Sequence, residues 1–157
     1  MESYPLPRDG KMPVWQFEQP IAVEIGAGVG RHAIQYAQQH QQEILVAIEH
    51  TEQRFQKFRN RYLNHSNLDN LNPVHDDAIS WIAHNVPQES LFKVFILYPN
   101  PYPKAKHLNQ RWYAMPFMGC LINKLVDGGM IELATNESFY ADDAERWMSD
   151  TWGLSLV

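Results

Sequence analysis

The feature that most narrows what this chain can fold into is a short apolar run that breaks into closely spaced glycines: Ile21-Ala22-Val23-Glu24-Ile25, then Gly26-Ala27-Gly28-Val29-Gly30. A short, mostly apolar run with β-branched residues reads as a strand buried on both faces. Ala33, Ile34 and Ala37 then share one face at helical spacing, so a helix is expected over about residues 30–40. A glycine turn between strand and helix lets the backbone approach a ligand and aims the first helical amides at it. The Gly26-x-Gly28-x-Gly30 spacing departs from a dinucleotide fingerprint, whose third glycine falls one residue later and which requires no acid inside the strand.

The alternation continues along the chain. Residues 44–49 form a second strand candidate, and Thr51 can cap a helix in which Phe55, Phe58 and Tyr62 share a side. Residues 71–75 make a weaker third strand, broken by Pro73, before a short helix from Asp77 to about His84. Residues 94–98 are a strongly apolar fourth strand. After a proline-rich loop at 99–107, a long helix is expected over about 108–126, kinked or restarted at Pro116. Asp127-Gly128-Gly129 reads as a turn, 130–135 as a fifth strand, 138–149 as a last helix and 154–157 as a sixth strand. This order predicts an α/β fold: a Rossmann-like, doubly wound, mostly parallel sheet in three layers over residues 21–157. Residues 1–20, with Pro5, Pro7, Pro13 and Pro20, read as an N-terminal arm anchored by Trp15 and Phe17. A final strand without an apolar partner after it predicts a sheet edge closed by further C-terminal sequence or by another chain.

A length of 157 residues fits one domain, expected as a monomer or homodimer. The net charge of −5 argues against a surface that grips nucleic acid everywhere, because phosphate contacts drive most of that affinity. It leaves room for a local basic patch. No apolar run is long enough to span a bilayer. Met1-Glu2-Ser3-Tyr4-Pro5 has neither a basic start nor an apolar stretch, so no membrane and a cytoplasmic location are expected. The single cysteine, Cys120, sits in an apolar helical pattern and reads as a packed thiol. No metal is expected.

Acidic residues near the ends of three strands narrow the ligand. S-adenosyl-L-methionine carries an amine and a sulfonium, so Glu24 beside Gly26, Gly28 and Gly30 suits it better than a pyrophosphate. Glu49, at the end of strand two, can accept both ribose hydroxyls. Asp77, after strand three, is placed to reach the adenine amino group, and its neighbour Asp76 could exchange roles with it.

The most distinctive segment is Tyr98-Pro99-Asn100-Pro101-Tyr102-Pro103-Lys104-Ala105-Lys106-His107-Leu108-Asn109-Gln110-Arg111. Three alternate prolines restrict its shape. Basic residues at a helix start oppose the helix dipole, which favours an external anionic partner. With the Glu-Ile-Gly turn, this loop and Ala134-Thr135-Asn136-Glu137-Ser138-Phe139-Tyr140-Ala141, the chain resembles the bacterial tRNA (guanine-N7-)-methyltransferase family over about residues 21–148. The resemblance implies a class I methyltransferase fold, with S-adenosyl-L-methionine held by Glu24, Glu49 and Asp77. It implies tRNA as the partner, Asn100 at the family's catalytic aspartate position, Lys104 and Asn136 facing the target guanine, and Lys106, His107 and Arg111 along the RNA backbone.

Three features depart from that family's pattern. Asn100 and Asn136 stand where it has aspartates, and Leu108, Asn109 and Gln110 interrupt its basic run. Guanine N7 carries an in-plane lone pair and loses no proton on methylation, so no strong general base is required and alignment can supply most of the catalysis. A carboxylate would add stabilisation of positive charge that an amide gives up. Action on another substrate, and a non-catalytic cofactor-binding subunit, stay open beside tRNA methylation.

Overall fold

A computed structural model describes residues 3–8 and 15–157; the sequence readings that fall on Met1, Glu2 and Pro13 lie outside the described residues. Strands β1 (Ile21–Ile25), β2 (Leu45–Glu49), β3 (Leu71–His75), β4 (Leu91–Leu97) and β5 (Leu125–Ala134) alternate with helices α1 (Arg31–Gln39), α2 (Glu52–Leu63), α3 (Ala78–Asn85), α4 (Phe117–Lys124) and α5 (Ser138–Asp150). The sheet runs β3-β2-β1-β4-β5, and each of its pairings is parallel. The chain therefore winds outward from β1 and returns through β4. In such sheets, ligands bind where that reversal opens a crevice at the carboxyl ends of the strands.

Every residue of β1 and β2 is buried, because helices cover both faces there. Val23 and Ile25 point with Val46, Ile48, Val94 and Ile96 toward α3 and α4, meeting Ile82, Phe117, Met118 and Leu121. Ala22, Leu45, Ala47 and Phe95 point the other way, toward Ala33, Ile34 and Ala37 of α1 and Phe58 of α2. Two cores on one sheet make the three layers expected. Phe58 is fully buried, so its truncation to alanine should cost about 3–5 kcal/mol.

Four local expectations are corrected. The long helix over 108–126 is instead two 3-10 turns, Ala105–Gln110 and Trp112–Ala114, followed by α4. Pro116 occupies the N-cap of α4, where its fixed φ is tolerated. Thr51 holds the N-cap position of α2, but its side chain makes no capping bond. Asp127-Gly128-Gly129 is a bulge within β5: the register jumps from Leu91↔Leu125 to Lys93↔Met130. Residues 154–157 form no strand. Gly153, at φ 68°, ends α5 by donating its N–H to Ser149, and Leu154 donates to Met148, a closure that leaves Leu156 and Val157 exposed.

The arm is anchored as expected: Trp15 and Phe17 pack on each other and on the α3–α4 core. Tyr4 meets Phe117 edge-on, and its carbonyl accepts from His84.

Candidate active site

The turn after β1 places three glycines at positive φ, and they divide into two kinds. A Cβ on Gly26 or Gly28 would meet nothing within 4 Å, so the outer face of the turn is open. A Cβ on Gly30 would lie 1.9 Å from the ring of Phe58. The first two glycines thus leave room for a ligand, while the third lets α2 pack against the start of α1.

Three carboxylates, Glu24, Glu49 and Asp76, are buried at the C-terminal ends of adjacent strands, 3%, 4% and 7% exposed. Glu49 accepts from the Gly28 N–H through one oxygen and from the Thr51 N–H through the other, both at 2.7 Å. It braces the glycine turn, and each oxygen keeps a lone pair for a further donor. Glu24 meets His32 Nδ1 at 3.0 Å. That hydrogen bond raises the His32 pKa; burial opposes it, the Glu24 and Glu132 charges add to it, and Lys93 opposes it. Asp76 accepts the backbone N–H groups of Asp77, at 2.7 Å, and of Arg8 in the arm, at 3.1 Å.

Asp77 was the expected adenine contact. Its side chain instead turns back onto its own helix, accepting from the Ser80 N–H at 2.9 Å as the N-cap of α3. The buried acid at this strand end is its neighbour. Sequence reasoning named both aspartates, and no local spacing separates them, since the cap is made to a backbone N–H that other residues at position 80 would also supply.

The loop after β4 leaves the sheet beside the glycine turn, since Ile96 pairs with Ile25. Asn100 is exposed, and its Oδ1 accepts from the Tyr102 N–H at 3.3 Å. Lys104 and Lys106 are exposed as well, and the His107 ring stands edge-on to Tyr102. Arg111 is a correction. Expected along the RNA backbone, it is only 6% exposed. Its Nε and Nη2 donate to the Tyr102 carbonyl at 3.1 and 3.0 Å, and its Nη1 to the Tyr113 hydroxyl and Asp143 at 3.1 and 3.2 Å. The guanidinium also lies over the Phe139 ring. Three prolines leave this loop few N–H donors of its own, so a buried arginine fixes its carbonyls.

Asn136 is exposed just past β5. Leu97 pairs with Ala134, so β4 and β5 end side by side, with Asn100 in the loop after the one and Asn136 just past the other. The structure thus gathers the glycine turn, Glu24, Glu49, Asp76, Asn100 and Asn136 along one edge. Lys104, Lys106 and His107 lie in the adjoining loop.

Solved structures with this fold include the precorrin-6y C5,15-methyltransferase from Geobacter metallireducens, at TM-score 0.62 and 16% identity, covering 84% of this chain and 61% of that one. A phosphoethanolamine N-methyltransferase from Haemonchus contortus aligns at TM-score 0.54 and 20% identity, over 76% of this chain and 23% of the other. The fold is that of the class I methyltransferases. The model of the family described as "Putative methyltransferase" matches residues 18–155, and the chain belongs to that family. Among its relatives, a tRNA (guanine-N(7)-)-methyltransferase of Nitrosospira multiformis is 31% identical over 99% of this chain and 69% of its own length. One of the same name from Nitrosomonas eutropha is 34% identical over 78% of this chain and 54% of its own. The chain spans about half to two thirds of the length of such relatives.

Proposed function

We propose that this domain binds S-adenosyl-L-methionine and directs its methyl group to N7 of a guanine in tRNA. The observation that carries the reading is the row of buried carboxylates, Glu24, Glu49 and Asp76, around the open faces of Gly26 and Gly28. Buried acids call for donors or cations, and this ligand brings an amine, two ribose hydroxyls, an adenine amino group and a sulfonium. Glu24 would hold the amine, Glu49 the ribose and Asp76 the adenine edge, with Gly26 and Gly28 admitting the ligand backbone-close. The bound cofactor supplies an electrophilic methyl group. The names of the relatives support tRNA guanine as the acceptor.

The chain's own residues then need to position, not to deprotonate. Asn100 and Asn136 offer amide donors and acceptors to the edges of the base, and the Arg111 clamp keeps the Asn100 loop in one shape. Lys104 and Lys106 extend into solvent as phosphate contacts. A second reading, another acceptor than tRNA guanine, is favoured by one observation: burial of Arg111 leaves the exposed charge of this loop to Lys104 and Lys106. Purified protein incubated with tRNA and labelled cofactor, followed by mass spectrometry of the nucleosides, decides between them. N7-methylguanosine is the expected product; transfer to no RNA would overturn the tRNA assignment.

A further inference from the structure

Tyr98 immediately follows β4 and combines three properties that do not normally meet in one residue. The residue is 70% exposed, the one aromatic among the exposed large apolar residues of those described. Its backbone sits at φ 50°, in the left-handed region that a bulky L-residue enters only at a cost. Its N–H is nevertheless fixed, donating to the Ala134 carbonyl at 2.7 Å. A ring held out in solvent on strained backbone contributes little to the fold, and strain of this kind collects at functional sites.

Its place on the rim says what the ring meets. Ile96 pairs with Ile25 and Leu97 with Ala134, so Tyr98 follows β4 where the glycine turn leaves β1 on one side and β5 ends on the other, and its N–H bonds the Ala134 carbonyl. It lies at the β1/β4 reversal of the sheet, with Asn100 two residues on and Asn136 just beyond Thr135. Aromatic rings stack on the face of an unpaired base, while amides bond its edge.

We propose that Tyr98 is the stacking platform for the acceptor base, an unpaired purine of a single-stranded segment laid across the rim with its edge toward Asn100 and Asn136. This rests on the reading of the domain as one that acts on a nucleic-acid base. The ring supplies a face, so phenylalanine serves as well as tyrosine. Glycine relieves the backbone and removes the platform.

The test compares wild type, Tyr98→Phe and Tyr98→Gly by thermal unfolding, by titration with S-adenosylhomocysteine, and by titration with a short oligouridine carrying one guanine in the presence of S-adenosylhomocysteine. Methyl transfer to tRNA is measured in parallel. Tyr98→Gly should unfold at the same temperature as wild type or higher and keep its cofactor affinity within about twofold. It should bind the oligonucleotide about five- to a hundred-fold more weakly, the range for loss of one stacked base. Tyr98→Phe should bind it as wild type does. Unchanged oligonucleotide binding in Tyr98→Gly overturns the platform, as does a lower unfolding temperature, which would make the ring a packing element. Parallel loss of cofactor affinity would assign the ring to the cofactor, and absence of oligonucleotide binding in wild type would remove the base altogether. The expected binding pattern without methyl transfer to tRNA would overturn the tRNA reading alone and leave the platform standing.

Discussion

Replacing Arg111 with methionine separates a structural arginine from a phosphate contact. Methionine keeps most of the volume and removes the guanidinium, which bridges the Tyr102 carbonyl, the Tyr113 hydroxyl and Asp143. Breaking a buried ion pair by deleting one partner costs about 3–5 kcal/mol when the other charge is stranded. Asp143 is not stranded, since its side chain is 27% exposed and also meets Arg146. The Tyr102 carbonyl belongs to a surface loop that water can reach. The expected loss is therefore near the bottom of that range, about 3 kcal/mol. At about 2–4 °C per kcal/mol for a domain of this size, the unfolding midpoint should fall by about 6–12 °C. Lys104→Ala and Lys106→Ala, both exposed, should stay within about 0.5 kcal/mol of wild type. RNA titration against salt supplies the second half of the assay. Each lysine change should lower the log–log slope by about one, while Arg111→Met leaves it unchanged. A stable Arg111→Met protein whose salt slope falls by one would refute the burial argument.

Three further outcomes follow from the site. Glu49→Gln should weaken S-adenosyl-L-methionine binding about ten- to a hundred-fold by isothermal titration, since hydrogen bonds to a charged group contribute about 1.5–3 kcal/mol. Gly30→Ala should destabilise the domain by about 2–4 kcal/mol in urea unfolding, combining left-handed strain with overlap on buried Phe58. His32→Gln should cost stability in a pH-dependent way. The Glu24 bond raises the native pKa of His32 above its unfolded value, near 6.5, so its contribution is complete below about pH 6.5 and fades as pH rises through the native value. A mutant deficit that grew with pH would contradict the pairing.

What was legible in the sequence was periodicity. β1, β2 and β4 are apolar enough to be recognised without context, and Ala33, Ile34 and Ala37 mark one face of α1. The segment at 105–114 misled because Leu108, Trp112 and Met115 can be read at helical spacing, yet Arg111 takes an extended backbone conformation between two 3-10 turns while its side chain is buried. Arg111 sits in a run of polar residues and looks like a surface charge. Its burial depends on Asp143 and Phe139, about thirty residues later, which no local pattern reveals. The choice between Asp76 and Asp77 is likewise decided by a distant group, the Arg8 N–H. At the ends of strands the residue types were readable from sequence, but the direction of each side chain required the fold.

Asn100 and Asn136 stand where the resembled family has acids, and under the proposed function they are the positions expected to bear most directly on the rate. Both lie at the rim, at the ends of neighbouring strands, and both are exposed. A carboxylate at either place can accept from the N1 and N2 donors of guanine, and charge-assisted bonds are about twice as strong as neutral ones. As the methyl group transfers, positive charge spreads onto the base, so the interaction strengthens toward the transition state and lowers the barrier rather than only the Michaelis constant. An opposing effect acts on binding: two more negative charges on a chain already at −5 repel the RNA phosphates. Single-turnover rates at saturating tRNA separate the two, because repulsion then no longer enters. Asn100→Asp with Asn136→Asp should speed that step about tenfold or more, each 1.4 kcal/mol being one decade, while raising the tRNA concentration needed. The geometry around Asn100 tolerates the change, since an aspartate oxygen can accept the same Tyr102 N–H. A double mutant that folds, binds cofactor and shows no gain at saturation would mean that the amides are matched to an acceptor other than tRNA guanine. For such a substrate, an amide donor replaced by a carboxylate slows transfer.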